Sequence, residues 1–190
     1  MSEQLRSLRR LPERLHCDPT RTIIRFFWPG SNGRAHKIVD RVMSLADDQA
    51  GALLDEVRQE FSSDHPGMED IFEEHFKEVT SRIGQCLTLI TRVKQLLVGA
   101  YFSMEYAHEA AALFNPSMVP FRDQSGLAPG DVRFLMSLRA VGEGHLSSIV
   151  FRFGTIDAQG EVHVHEPPHH SRQMRATPDA GHNKERFYLK

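Results

Sequence analysis

Cysteine is scarce in this chain: two residues in 190, Cys17 and Cys86. That pair is too small and too widely spaced for a disulfide framework or a zinc site. The expectation is reduced thiols in a cytoplasmic protein, with no metal and no cofactor. Long apolar runs are lacking too, and none approaches the roughly 20 residues that cross a bilayer. Arg6, Arg9, Arg10 and Arg14 crowd the start, but no apolar stretch of the secretory kind follows them. Nor is charge of one sign in excess. Twenty-three Lys and Arg face 25 Asp and Glu, a formal net charge of −2. This offers no global electrostatic case for nucleic acid or an anionic membrane as a partner.

What is present suits a soluble globular chain of ordinary composition, with 40% hydrophobic and 25% charged residues. Residues 1–20 read as an irregular arm. Thr22–Trp28 is a β-branched and aromatic run closed by Pro29-Gly30, which fits a short strand ending in a turn. Helical periodicity then dominates. A first helix fits 34–45, a second opens on Asp47-Asp48, and a third spans 68–82 with Met68, Ile71, Phe72, His75, Phe76 and Val79 on one stripe. A fourth and longest helix is expected over 88–112, stopped by Pro116. Small residues at its Ala110–Ala112 end would allow close packing against a sheet or a second copy of the chain. His75 has no Cys, His or Asp at metal spacing and reads as a packed or half-exposed histidine. Glu105, His108 and Glu109 read as a solvated or subunit-contacting face of the long helix, there being no second Glu-x-x-His copy.

The pattern changes after Pro116. Ser117–Pro120 reads as a short extended piece and Arg122–Gly130 as a loop. Val132–Leu138, Ser148–Phe153 and Glu161–His165 read as strands of an antiparallel meander. Three short strands cannot close, and an open edge is a pairing surface, so the β part looks incomplete. Residues 166–190 carry too little apolar content to fold alone, and the histidines at 163, 165, 169 and 170 do not make a site.

The chemistry concentrates around this meander. Arg139 ends a strand, and a guanidinium fixed there offers a fork of donors for sugar hydroxyls, carboxylate or phosphate. Gly142-Glu143-Gly144-His145 connects to the next strand, and its glycines permit left-handed backbone or close approach. Glu143 and His145 can orient a polyhydroxy ligand, or simply form a solvated hairpin tip beside a salt-bridged Arg139. Asn115-Pro116 either caps a helix and starts a turn, or turns its amide toward the same cavity as Arg139. Gly142-x-Gly144 is no phosphate-binding fingerprint, since no third Gly or helix follows in place.

The run Ala-Leu-Phe-Asn-Pro-Ser-Met-Val (112–119), with Arg133–Arg139 and Ala-Val-Gly-Glu-Gly-His-Leu-Ser-Ser-Ile-Val-Phe-Arg (140–152), resembles the start of the catalytic domain of glycoside hydrolase family 130. That family comprises β-mannoside phosphorylases and related mannosidases. Arg21–Gly30 through Gly99–Tyr106 is similar to the helical region ahead of that domain in longer bacterial members. The resemblance covers about 21–160 and implies a five-bladed β-propeller with sugar bound at its central cavity. It implies that Asn115 and Arg139 lie near the sugar beside the scissile bond, with Ser147 or Ser148 in the same first blade. Of these, Ser148 is taken as the substrate contact, along with Asn115, Arg139, Glu143 and His145. The Arg122–Gly130 loop makes the spacing from Asn115 to Arg139 longer than in short members.

The fold expected is therefore α+β: an arm (1–20), about four helices (21–113), the first antiparallel strands of an incomplete five-bladed propeller (114–165), and a poorly structured tail (166–190). No residue matches the family's general-acid Asp; Asp179 lies in unpatterned tail. Phosphate replaces water as nucleophile in the phosphorylases, so one acid suffices there where hydrolysis uses two carboxylates. The functional expectation is the N-terminal portion of a glycosidase or phosphorylase, inactive alone, whose partners are a β-mannoside oligosaccharide, inorganic phosphate and possible further copies of itself. The alternatives are a non-catalytic helical interaction or oligomerisation module, and a small carbohydrate-binding protein.

Overall fold

After a short strand, four amphipathic helices follow in chain order, and the first two have clear local reasons to begin where they do. The computed structural model describes residues 11, 13–84, 90–167 and 171. Helix α1 (Asn32–Met43) starts at Ser31, whose hydroxyl accepts the Arg34 N–H at 3.4 Å. Helix α2 (Asp47–Phe61) carries Asp47 and Asp48 in its first turn, where carboxylates meet the positive end of the dipole. The Gln49 side chain there accepts the Ala46 N–H at 3.1 Å. Helix α3 (Met68–Ile83) lies between Gly67 and Gly84, and α4 spans Arg92–Tyr101. Their apolar stripes meet in a core that includes Val39, Val42, Leu54, Phe72, Val79, Leu97 and Val98.

Helix α4 crosses α3 at very short range. A Cβ on Gly99 would lie 1.9 Å from the Phe72 carbonyl oxygen, so only glycine lets the two backbones approach. Beyond this crossing the chain departs from the expected long helix. Phe102 leaves helical geometry (φ −103°, ψ 26°) and buries its ring completely, 5.9 Å from Trp28. Its carbonyl accepts the Phe27 N–H at 2.8 Å. Ser103–Ala107 then forms strand β2, antiparallel to β1 (Thr22–Phe26), with Ile24 opposite Glu105. The apolar residues of 96–107 fit helical periodicity and, from 103 onward, strand alternation as well. Pairing with β1 decides between them, because β1 would otherwise present an open edge. Residues 85–89, which include Cys86, lie outside the described part.

The remaining strands form one curled antiparallel sheet in the order β3-β4-β5-β6: Ala112–Pro120, Val132–Val141, Ser147–Ile156 and Val162–Val164. The meander is as expected, but with four strands, since Ala112–Pro120 joins it as a full edge strand. The class is α+β, and the described residues contain this four-stranded sheet, the two-stranded β1–β2 sheet and no propeller. Along β4, Phe134, Met136, Leu138 and Ala140 point to the buried face. The other face carries Val119, Leu135, Arg139, Ile149, Phe151 and Phe153, and Ile149 and Val119 there are 62% and 54% exposed.

The close crossing gives a direct test. Gly99→Ala forces α3 and α4 apart and should cost about 1–3 kcal/mol, read as a lower urea midpoint with unchanged slope. A midpoint equal to that of the unsubstituted chain would show that the helices yield freely at this point.

Candidate functional site

Phe114 pairs with Arg139 and Ser117 with Ser137, which leaves Asn115 and Pro116 together opposite Leu138. This is a β-bulge, and Asn115 occupies the left-handed region at φ 51°. Asn tolerates that conformation better than most residues, and Pro at a bulge in an edge strand sacrifices no ladder bond. The reading of Asn115 as a helix cap is thereby corrected: no helix precedes it, and it sits inside a strand. Its side chain is exposed, with no hydrogen-bond partner among the described residues.

Arg139 is exposed next to this bulge. Its Nε and one terminal nitrogen both donate to Ser147 Oγ, at 3.1 and 3.0 Å. The other terminal nitrogen has no partner among the described residues. Strand alternation explains the choice of serine. Ser147 pairs with Val141 and shares the face of Arg139, whereas Ser148 pairs with Ala140 and points to the opposite face. The Ser148 hydroxyl is buried without a partner. The structure therefore brings together Asn115, Arg139 and Ser147, and leaves Ser148 apart from them.

Glu143 and His145 form a short 3₁₀ turn at the β4–β5 connection, both exposed. His145 has φ 59°, an uncommon value for a non-glycine residue. The turn begins four residues after Arg139, just past the end of β4, so these groups gather at one end of the sheet. Gly142 sits against Tyr106, where a Cβ would fall 2.4 Å from the phenolic oxygen. The Tyr106 hydroxyl donates to the Leu146 carbonyl at 3.4 Å and ties the connection to β2.

A second polar cluster lies where a solvated helix face was expected. Glu109 is completely buried, and its carboxylate accepts from both Arg21 and Arg152, the latter at 2.5 Å. His108 is buried beside it, with Nε2 2.7 Å from Ser171 Oγ and Nδ1 3.7 Å from the Glu109 carboxylate, without a hydrogen bond. Burial pushes both the Arg21 guanidinium and the His108 imidazole below their ordinary values, and in His108 this outweighs the opposing effect of Glu109. Nearby, Glu105 accepts from Thr22 at 3.2 Å and lies 2.6 Å from His65 Nε2. None of these groups is on α4. Helical spacing concealed them because their partners come from the arm, the α2–α3 loop and β5. His75 is packed, as expected, with Nδ1 2.7 Å from Ser103 Oγ and its ring on the edge of Phe26.

Among the described residues no group of three or more His, Cys, Asp or Glu is placed to hold a metal ion, and no helix is long and apolar enough to cross a membrane. His163 lies 3.4 Å from Asp157, while His169 and His170 fall outside the described part. Comparison with family profiles, curated proteins and solved structures returned no match.

Two outcomes follow from the buried cluster. Glu109→Gln removes the charge that Arg21 and Arg152 share and should cost about 3–5 kcal/mol in urea unfolding; a loss near zero would mean that water already reaches the site. The pH dependence has a definite sign. Burial holds His75 and His108 both below the ordinary imidazole value of 6.5 when folded. The unfolded chain binds those protons near pH 6.5 and the folded chain resists them, so stability falls as pH drops through that value. The double variant His75→Gln/His108→Gln should flatten the fall between about pH 7 and 5.5; an identical slope would assign it to other groups.

Proposed function

We propose that this chain supplies one wall of the sugar site of a β-mannoside-acting glycosidase or glycoside phosphorylase. The observation that carries the reading is that the bulge seating Asn115 directly follows the Phe114–Arg139 pair at one end of the sheet, with donor capacity unused on both Asn115 and Arg139. An exposed amide held by a bulge and a guanidinium steadied by one serine can address adjacent hydroxyls of a sugar or a phosphate oxygen. Glu143 and His145 flank them and can accept or donate to further hydroxyls. Ser147 acts as the positioning residue for Arg139, and Ser148 contributes no contact.

The sheet supports the same reading. A four-stranded antiparallel meander is the unit from which propellers are built, and its outer face carries Ile149, Phe151 and Phe153 in need of cover. In this proposal further sheets pack there and bring the general acid and the phosphate-binding groups. The substrate is a β-mannoside oligosaccharide, with phosphate or water as the acceptor, and the helical part serves packing and self-association. The alternative, a non-catalytic interaction module, draws on the same exposed face.

Titration of the chain with β-1,4-mannobiose, followed by amide NMR shifts, separates the two. Millimolar, saturable shifts are expected at Asn115, Arg139, Ser147 and Glu143–His145, and Arg139→Ala should abolish them. Shifts absent from this end of the sheet favour the interaction module. Robust phosphorolysis by the chain alone would contradict the one-wall reading.

A further inference from the structure

A groove of about 300 Å³ opens between α2, α4 and the β1–β2 ribbon, and no residue lining it belongs to the β3–β6 sheet. Its floor is apolar, formed by Leu53, Val57, Phe61, Phe72 and Leu97. Tyr101 and Met104 also line it and are 45% and 41% exposed. Every charged residue lining it is acidic: Glu56, Glu60 and Glu105. Glu105 is engaged with His65 and Thr22. Glu56 and Glu60 are both exposed on α2, and neither makes an ion pair among the described residues.

The chemistry of floor and rim together narrows the occupant. Nucleic acid and an anionic membrane carry the sign of the rim and are repelled by it. A small polyamine would meet the carboxylates and leave the apolar floor open to water. A fatty acid would fill the floor and set its own carboxylate among three others. What satisfies both is an apolar stripe bordered by cationic side chains, and the spacing of the rim suits a helix. Glu56 and Glu60 are four residues apart, about one helical pitch of 5.4 Å along the axis of α2. A helix lying beside α2 repeats its own residues i and i+4 at that interval, so two lysines or arginines there meet both carboxylates at once. Their aliphatic stems extend the apolar contact while the charged ends reach the rim.

We propose that the groove docks an amphipathic helix of a partner protein, with leucine-like side chains along one stripe and lysine or arginine four residues apart at its border. The stripe fills the floor and covers Tyr101 and Met104, and the two cations pair with Glu56 and Glu60. The apolar floor supplies most of the affinity, and the rim selects the sign of the partner. The helical half is then a recognition surface in its own right, separate from the end of the sheet that holds Arg139.

The test uses the full-length chain and three fluorescein-labelled synthetic peptides. The first repeats leucine at every third or fourth position with lysine bordering the stripe. The second replaces those lysines with glutamate, and the third holds the residues of the first in an order that breaks the stripe. By anisotropy, the chain should bind the lysine peptide saturably and the other two at least about tenfold more weakly. Raising salt should weaken the lysine peptide. Glu56→Lys/Glu60→Lys should reverse the order of the lysine and glutamate peptides, and its gain for the glutamate peptide would itself show that the variant is folded. Sedimentation of the chain alone tests a second copy as the occupant. Four results overturn the proposal: no saturable binding of the lysine peptide, equal binding of either control peptide, an order unchanged in the variant, or self-association of the native chain that Glu56→Lys/Glu60→Lys abolishes.

Discussion

The buried carboxylate of Glu109 is the constraint on which the relation between the two halves of the molecule rests. It accepts from Arg21, just before β1, and from Arg152, in the middle of β5, while its own backbone lies between β2 and β3. Taking a carboxylate out of water costs several kcal/mol, and one guanidinium repays this only with good geometry. Two guanidiniums on opposite oxygens satisfy the acceptor and leave the cluster with a positive excess. The same burial disfavours the charged form of His108. Since each arginine is anchored on a different element, the sheet cannot rotate against the helices without stranding a charge. The Tyr106–Gly142 contact reinforces this placement from the β4–β5 side.

Within the helical part, close approach at Gly99 and burial of Phe102 serve one end. The first lets α4 lie down on α3, and the second turns the chain from helix to strand at the point where β1 needs a partner. Arg82 extends the arrangement outward by stacking its guanidinium over Phe26 and Trp28, at 4.8 and 5.3 Å from the ring centroids. That contact fastens the end of α3 to the aromatic run after β1. Cation–π pairing of this kind is worth about 0.5–1 kcal/mol at an exposed site, small beside the core but well placed to orient the ribbon.

How far the sequence announces this fold depends on the distance between interacting residues. Helices α1 to α3 were legible because their apolar stripes and starting residues, such as Asp47-Asp48, are local signals. The hairpin around Gly142–His145 was legible for the same reason. The stretch from Met104 to Glu109 was not, because its small and apolar residues satisfy two periodicities and the decision rests with β1, some eighty positions earlier. Glu109 was misplaced on a solvated face for a related reason: nothing within one helical turn of it marks Arg21 and Arg152 as partners. At the candidate site, Asn115 and Arg139 were readable by type. The bulge that seats Asn115, and the strand parity that selects Ser147 over Ser148, emerge only once the register is known.

That parity bears on what Arg139 can do. Its face of the sheet also carries Ile149, Phe151 and Leu135, with Ser137 and Ser147 between them, and in water the guanidinium there is well hydrated and interacts weakly with a neutral hydroxyl. Covering the face with another apolar surface would lower the local dielectric and strengthen every hydrogen bond made from the free nitrogen. The same covering would leave that nitrogen unsatisfied unless a ligand or a partner group accepted from it, a penalty of about 1–3 kcal/mol. Assembly of the proposed sugar site and recognition of the sugar are thus coupled through one side chain. In the proposed site, then, the guanidinium binds weakly while its face is open to water and becomes selective for a hydrogen-bonding ligand once that face is covered.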